Sequence, residues 1–292
     1  MASEAFEPIA FLRAVGLHPG GDLRAKPLSG GYLNAVFRLR GEGLDWVVKR
    51  FAVDLPPSLY PNLPEAEYLA LQRLSPLQAA PRPVAFFPGD APVLVYEFFA
   101  GEEWSGDLAA VADLLRRIRR ADISGFRNVP MQPRDILDQA EIFVAHCSVD
   151  LRDRLRAARP EPVAVPEVAR GVIHTDLGPG NLIAGADGLI AIDWQCPAAG
   201  DPVEDLVAFL SPAFQILYGR TPLSVAEERA LLALYGDDTV VARLGILRRF
   251  YDWRMAAYCA MRSEQYAATR PEAAARYRVA AAALFARLET KE

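Results

Sequence analysis

The polar residues with the clearest chemical potential stand close together in the second half of the chain: His174, Asp176, Asn181 and Asp193. Asp176 could accept or orient the proton of a substrate hydroxyl. Asn181 and Asp193 offer amide and carboxylate oxygens, the hard ligands that suit Mg²⁺. Taken alone, a loop aspartate is most often a cap or turn residue, and an asparagine after Gly-Pro-Gly can be a left-handed turn residue. The four residues at this spacing together favour a site that holds a metal-bound triphosphate beside a hydroxyl.

Two short apolar runs must position these side chains. Gly171-Val-Ile precedes them, and Leu189-Ile-Ala-Ile comes directly before Asp193. Both runs are typical of β-strands, because they are short, aliphatic and bounded by turn residues. Since two strands that flank a turn place their ends side by side, the sequence predicts that Asn181 and Asp193 lie close together.

The first third of the chain is predicted to be rich in strands. Alternating segments around glycine turns predict β-hairpins over 34–51 and 83–99. Between them, a leucine stripe predicts a helix over 65–74, with Pro64 in its first turn. The rest is mostly helical, with long segments predicted at 108–120, 134–158 and from 203 to the end. Strands followed by helices predict an α+β fold with a boundary near residues 97–101.

The composition fits a globular protein and excludes several classes. The chain has 292 residues, of which 52% are hydrophobic and 24% charged, so a sizeable core is available. A formal net charge of -5 argues against a generally basic nucleic-acid binder. No uncharged apolar run approaches the roughly 18–20 residues that span a bilayer. We therefore expect no nucleic-acid and no membrane partner.

The compartment is predicted from the cysteines and the first residues. The three cysteines are far apart and match neither a disulfide framework nor a zinc site. The beginning of the sequence has no basic segment followed by an apolar run, so it does not resemble a signal peptide. We expect buried free thiols and a cytoplasmic location.

A further marker follows the second acid: Gly200-Asp-Pro-Val-Glu-Asp-Leu, in which the last acid is Asp205. With this marker and with His174, Asp176, Asn181 and Asp193, the sequence resembles the aminoglycoside phosphotransferase and choline kinase superfamily. The members of this superfamily are small-molecule relatives of protein kinases. The resemblance covers nearly the whole chain. It implies a protein-kinase-like bilobal fold with a β-rich N-lobe over 1–97, a hinge over 98–101 and a helical C-lobe over 102–292.

The resemblance also implies a role for each residue of the site. Asp176 corresponds to the catalytic residue, and Asn181 and Asp193 correspond to the ligands of Mg²⁺. His174 and Asp205 correspond to residues that brace the catalytic loop, the latter through backbone hydrogen bonds.

In the N-lobe the resemblance implies a nucleotide site. The implied cofactor-binding residues are Gly30, Gly31, Lys49, Glu65, Glu97 and Phe99. The glycines correspond to the loop that covers the phosphates, although a full G-x-G-x-x-G is absent. Lys49 corresponds to the strand lysine that contacts the α- and β-phosphates. Glu65 is preferred to Glu67 as the partner of this lysine, because Glu-Ala-x-x-Leu resembles the family pattern. The last two residues belong to the hinge, whose backbone would hydrogen-bond adenine.

The implied activity is transfer of the γ-phosphoryl group of ATP to a hydroxyl of a small molecule, with Mg²⁺ as cofactor. A protein kinase is disfavoured, because His-Thr-Asp replaces His-Arg-Asp and only seven residues separate Asp193 from Asp201. The sequence does not decide whether the acceptor is an aminoglycoside, choline or ethanolamine, or another metabolite. A nucleotide-binding pseudokinase or scaffold is the remaining alternative.

The acceptor site is the weakest part of the prediction. The C-terminal segment mixes acidic and basic residues, so it does not favour a site for a polycation. Tyr251, Trp253, Tyr258 and Arg254 are candidates for substrate contact, since the stretch 250–258 is rich in aromatic residues and aromatic faces attract cations. A buried helix face is the alternative, but Trp253 and Arg254 are not both expected to face the core. The oligomeric state and the choice between ATP and GTP stay open.

Overall fold

A five-stranded antiparallel sheet dominates the N-terminal lobe. The computed structural model describes residues 6–17, 21–28, 33–41, 43–53, 55 and 58–290. The strands of the sheet are Arg24–Pro27 (β1), Ala35–Gly41 (β2), Leu44–Arg50 (β3), Pro83–Phe87 (β4) and Val93–Glu97 (β5). They lie in the order β1-β2-β3-β5-β4, so both predicted hairpins form within one sheet.

The alternation of side chains along β3 decides what reaches the cleft. Val48 packs with Leu39 and Val95 in a small core on one face of the sheet, which the helix Pro8–Ala14 (α1) helps to cover. Val47 and Lys49 point the other way and line the cleft between the lobes. Because side chains alternate along a strand, the burial of Val48 in this core turns Lys49 toward the cleft.

A second helix, Pro64–Leu74 (α2), connects β3 to β4. Pro64 stands in its first turn, as predicted, where a missing N–H costs no hydrogen bond. Its buried residues recur at helical spacing: Glu67, Ala70, Leu71 and Leu74. An acid thus occupies the first position of a stripe that is otherwise apolar.

Helices make up most of the remaining described chain. Their bounds are Leu108–Ile118 (α3), Pro133–Ala145 (α4), Val149–Ala157 (α5), Val203–Leu210 (α6), Pro212–Leu217 (α7), Val225–Tyr235 (α8), Asp238–Gln265 (α9) and Pro271–Glu289 (α10). The prediction of a single helical segment over 134–158 is wrong, because the helix is interrupted between α4 and α5. At this break the N–H of Ser148 donates to the carboxylate of Glu264, 2.8 Å away on α9.

Helix α9 is the centre of the C-terminal lobe. Every residue from Phe250 to Met261 is buried, as in a helix that is packed on all sides. It packs against α4, α6 and α10. No described helix is long and apolar enough to cross a membrane. Cys147, Cys196 and Cys259 are free and buried, as predicted.

Short strands frame the stretch that carries the polar motif. They are Gly101–Glu103 (β6), Gly171–Ile173 (β7), Leu182–Gly185 (β8), Gly188–Ala191 (β9) and Ala198–Gly200 (β10). β6, β8 and β9 form one antiparallel sheet, and β7 pairs with β10. The α+β prediction is confirmed.

Candidate active site

The loop that follows β7 is held in a strained conformation by one buried carboxylate. Asp205 accepts hydrogen bonds from the backbone N–H groups of His174, at 2.8 Å, and Thr175, at 2.9 Å. Thr175 has a φ of 69°, which is costly for a β-branched residue. Its hydroxyl donates to the carbonyl of Cys196, 2.9 Å away. These contacts fix the backbone immediately before Asp176.

His174 joins this loop to the end of β9. Its Nε2 lies 2.9 Å from the carbonyl oxygen of Ile192, and its ring packs 4.4 Å from the Trp194 ring. Nδ1 is buried and has no hydrogen-bond partner among the described residues. Burial lowers the pKa of His174 to about 4. A neutral imidazole that donates through Nε2 to the Ile192 carbonyl satisfies these observations.

Asn181 and Asp193 are neighbours, as predicted, but the strand before Asp193 pairs with β8 and not with the predicted run 171–173, which pairs with β10. β8 and β9 pair in register, and the N–H of Ile192 donates to the carbonyl of Asn181, 2.9 Å away. The side-chain nitrogen of Asn181 donates to the backbone carbonyl of Asp176, 2.9 Å away. Asp193 has a φ of 60°, a second strained position in the site. The turn and its two strands therefore gather three polar residues at one edge of the cleft.

Lys49 reaches this edge from the opposite lobe. Its Nζ lies 2.5 Å from Oδ1 of Asp193 and 2.7 Å from Oε2 of Glu67. Burial alone would lower the pKa of Lys49, but the two carboxylates outweigh it and raise this pKa above its ordinary value. Burial raises the pKa of Glu67 to about 7, despite the lysine. For Asp193, the nearby lysine outweighs burial and lowers the pKa.

The choice of Glu65 as the partner of Lys49 is wrong. Glu65 is exposed, whereas Glu67 is 1% exposed and makes the ion pair. The reason is helical phase, because Glu67 shares the buried stripe with Ala70, Leu71 and Leu74, and Glu65 does not. That spacing could have identified Glu67 from the sequence.

Asp176 lines the cleft and lies near two other acids, Asp193 and Asp205. Burial raises the pKa of its carboxyl well above the ordinary value, and Asp193 and Asp205 add to the effect. Two carboxylates close to a third disfavour its ionised form. Such a group is suited to receive a proton from a substrate hydroxyl.

The cleft between the lobes encloses about 560 Å³. Apolar side chains from both lobes, including those of the predicted hinge, line part of this cleft: Val36, Val47, Phe98, Phe99, Ile183 and Ile192. Phe99 lies in the predicted hinge, between β5 and β6. Glu97 ends β5, and its carboxylate pairs with Arg82 at 2.6 Å. Gly30 and Gly31 lie outside the described residues. This end of the cleft suits a flat, apolar group such as a nucleobase.

The opposite end of the cleft is lined by Tyr258, which the sequence analysis selected, and by other residues that it did not select. The lining residues there include Tyr60, Phe214, Met255, Tyr258, Arg262, Tyr266 and Tyr277. Four of them recur along α9 and its end at intervals of three or four residues, which is one face of a helix. This periodicity is the signal that could have found them.

Tyr251, Trp253 and Arg254 do not line the cleft, so their selection as substrate contacts is wrong. Trp253 is fully buried and donates from Nε1 to the carbonyl of Leu155, 2.8 Å away. Arg254 is only 6% exposed, because its guanidinium donates to Glu204 at 2.5 Å. The expectation that Trp253 and Arg254 cannot both face the core fails, since a buried carboxylate compensates the arginine. The alternative of a buried helix face is what the structure shows.

An aromatic ring covers the two glycines that follow Asp176. A Cβ atom at Gly178 or Gly180 would lie only 2.1 or 2.2 Å from ring atoms of Tyr218, which follows α7. Real contacts are never so short, so the loop approaches the ring this closely only because both residues lack side chains. The two glycines therefore serve a close approach rather than a turn.

The free oxygens beside Lys49 fit a divalent cation. The amide nitrogen of Asn181 is engaged, and its oxygen accepts no hydrogen bond from the described residues. Among the described residues, no group of three or more His, Cys, Asp or Glu side chains is arranged so that it could hold a metal ion by itself. A cation here would need the oxygens of Asn181, Asp193 and a bound phosphate, which is the donor set that Mg²⁺ prefers.

Comparison with known proteins assigns this arrangement to a family. A model of the phosphotransferase enzyme family, APH, matches residues 24–247. A search of curated proteins gives no match. The family match covers more than half of the chain, so the protein belongs to the phosphotransferase enzyme family. It is an enzyme of the small-molecule kinase class, and the resemblance stated from the sequence is confirmed.

Solved structures share the fold at low identity. Spectinomycin phosphotransferase APH(9)-Ia, in complex with ADP and spectinomycin, is 15% identical with a TM-score of 0.67, over 98% of this chain and 99% of that one. A choline/ethanolamine kinase family protein from Mesorhizobium loti is 18% identical with a TM-score of 0.66, over 97% and 92%. Choline kinase LicA from Streptococcus pneumoniae is 19% identical with a TM-score of 0.64, over 95% and 98%. At these identities the likeness shows the protein-kinase-like fold alone.

Proposed function

We propose that the enzyme transfers the γ-phosphoryl group of ATP to a hydroxyl group of a small molecule, with Mg²⁺ bound beside the nucleotide. The observation that carries the proposal is the convergence of Lys49, Asp176, Asn181 and Asp193 on one cleft between the lobes. Residues from both lobes and from sequence positions 144 apart meet there. The similar structures include enzymes named for spectinomycin and for choline, and both compounds carry hydroxyl groups.

Asp176 is the proposed catalytic residue. The oxygen of the acceptor attacks the γ-phosphorus, a new P–O bond forms, and the bond to the β–γ bridging oxygen breaks to release ADP. The hydroxyl proton passes to the carboxylate of Asp176. The raised pKa of this carboxyl favours that transfer, because a stronger base holds the proton more firmly.

The nucleotide would lie between the sheet and the β8–β9 turn. The base would occupy the apolar end of the cleft, with the backbone of residues 98–101 as the hinge. Lys49, held by Glu67, would contact the phosphates, and the segment with Gly30 and Gly31 would cover them. The charge of this buried lysine is secured by its two carboxylate neighbours.

Asn181 and Asp193 are the residues that would hold Mg²⁺. The ion would neutralise charge on the phosphate oxygens when bound. The protein backbone keeps these two side chains adjacent. It does so through the hydrogen bond between Ile192 and Asn181 and through the pairing of β8 with β9.

The experiment that tests the proposal is ADP release from Mg·ATP across a panel of hydroxyl compounds. The panel includes aminoglycosides, choline, ethanolamine, amino acids, nucleosides and sugars. We expect an acceptor-dependent signal that Asp176→Asn lowers by at least about a hundredfold while Mg·ATP still binds. Asp187→Asn, an exposed acid in the turn between β8 and β9, is the matched control and should keep full activity. Undiminished turnover in Asp176→Asn, or no binding of Mg·ATP by the wild-type protein, would refute the proposal.

A further inference from the structure

The end of the cleft away from the nucleotide has an unusual combination of aromatic rings and arginines. The residues that form it, here called the acceptor wall, are Tyr60, Tyr258, Arg262, Tyr266, Arg276 and Tyr277. The acceptor wall and Asp176 line the same cleft, and Asp176 adds to the effect of burial that raises the pKa of Tyr60. A molecule that presents its hydroxyl to Asp176 would therefore contact this wall.

Arg262 is held in place without a carboxylate partner. Its Nε donates to the hydroxyl of Tyr258 at 3.1 Å, and its two other nitrogens donate to Ser58 at 3.3 Å and Gln265 at 3.0 Å. No acidic side chain of the described residues forms an ion pair with it. These contacts use three of the five N–H donors of the guanidinium, so two remain for a ligand. The positive charge is fixed in position but not neutralised.

The aromatic rings do not form an open cage for a cation. The guanidinium of Arg262 lies 5.1 Å from the ring centre of Tyr258 and 5.4 Å from that of Tyr266. The chain thus supplies its own cation to these two rings. A quaternary ammonium or a polyamine would meet a like charge there, and repulsion at short range in a partly buried site is costly.

The other charged residues near the acceptor wall add to its excess of positive charge. Arg276 is exposed on α10 and makes no ion pair or hydrogen bond with the described residues. The acids among the described residues that line the cleft are Glu103, Asp176 and Asp193. Glu103 lies on β6, directly after the proposed hinge, and the other two belong to the reaction centre. No acid of the described lining is therefore left to receive a cationic acceptor.

We propose that the acceptor is a hydroxyl compound that carries an anionic group, a carboxylate or a phosphate monoester, and that Arg262 binds this group with support from Arg276. This inference rests on the proposed function, since it describes the acceptor of the same reaction. Guanidinium groups bind both kinds of anion through paired, charge-assisted hydrogen bonds. The tyrosine rings pack against the carbon skeleton and orient the hydroxyl toward Asp176.

The test measures binding of matched probes to the full chain by calorimetry. The protein is first titrated with Mg·AMP-PNP and then, at saturation, with glycerate, glycerol 3-phosphate, glycerol or choline. We expect glycerate or glycerol 3-phosphate to bind at least about tenfold more tightly than glycerol or choline. The two anionic probes distinguish a carboxylate site from a phosphate site.

Four variants distinguish an effect of the arginine charges on anion binding from an effect on the fold. Arg262→Gln should remove the preference for the anion, Arg262→Lys should keep part of it, and Arg276→Gln should weaken it. Arg249→Gln, an exposed arginine on the same helix that does not line the cleft, should change nothing. Unchanged affinity for Mg·AMP-PNP in each variant shows that the fold is intact.

Three results would overturn the inference: choline or glycerol binding as tightly as the anions, an anion preference that survives in Arg262→Gln, or no anion binding by a protein that binds Mg·AMP-PNP. Failure of the first titration is a different result. It would overturn the proposed function itself and remove the basis of this inference with it.

Discussion

Lys49 of the N-terminal sheet and Asp193 of the C-terminal lobe form an ion pair across the cleft, with Nζ 2.5 Å from Oδ1. The lysine side chain is only 3% exposed, and Glu67 is its second partner. The residue proposed to contact the phosphates and a residue proposed to hold Mg²⁺ thus meet across the cleft. The lysine depends on helix α2 for its position, and this dependence can be tested.

Glu67→Gln should weaken the use of ATP. The substitution keeps the size of the side chain but removes the charge that holds Lys49, so we expect kcat/KM for ATP to fall by about ten- to hundredfold, as for loss of a hydrogen bond to a charged group. Glu65→Gln, on the exposed side of the same helix, is the control. Equal effects of the two substitutions in steady-state kinetics would contradict the pairing with Glu67.

Asp193→Ala should reduce the part of nucleotide affinity that depends on Mg²⁺. We expect at least about a tenfold loss of Mg·ATP affinity, or 1.4 kcal/mol, and a smaller change for ATP measured with a chelator present. Calorimetry with and without Mg²⁺ makes the comparison. If the affinity for Mg·ATP stayed at the wild-type value, Asp193 would not be a metal ligand.

Asp205→Asn should destabilise the loop that carries Asp176. The asparagine keeps one acceptor oxygen for the N–H groups of His174 and Thr175, so one of the two buried donors loses its partner. We expect the free energy of unfolding to fall by about 1–3 kcal/mol and turnover to fall with it. Denaturant unfolding measures the first effect and ADP release the second. Wild-type values for both would show that the carboxylate does not hold the loop.

Gly180→Ala should lower turnover, and removal of the facing ring should restore part of it. The new methyl group would overlap the ring of Tyr218, so the loop or the ring must move, at a cost of about 1–3 kcal/mol. Because Tyr218 is 38% exposed, the double variant Gly180→Ala/Tyr218→Ala can relieve the overlap. A double-mutant cycle on kcat measures the coupling. Purely additive effects would show that the ring does not limit the loop.

His174 should make the protein less stable in acid. Its pKa is about 4 in the folded protein and 6.5 as the ordinary value, so between these values the unfolded state binds more protons. Stability contributed by the neutral histidine is complete above pH 6.5 and is lost as the pH falls toward 4, by about 3 kcal/mol in total. Denaturation midpoints of wild type and His174→Gln, measured from pH 7.5 to 4.5, isolate this histidine from the carboxyl groups. Parallel curves for the two proteins would disprove the shift.

The sequence by itself determined the local parts of the site. His174, Asp176, Asn181 and Asp193 lie within twenty residues and are joined by two short strands, so pairing of neighbours in the chain is enough to bring them together. The hairpin that carries Lys49 is equally local. The alternation of apolar residues along it also determines which face receives the lysine.

Only the tertiary structure decided which charged residues are buried and which reach the cleft. Arg254 enters the core because Glu204, fifty positions away, compensates its charge. The acceptor wall joins Tyr60 to α9 and α10, about 200 positions later in the chain. A charge is buried only where a distant partner lowers the cost of removing it from water. No pattern within one segment of the sequence contains that partner.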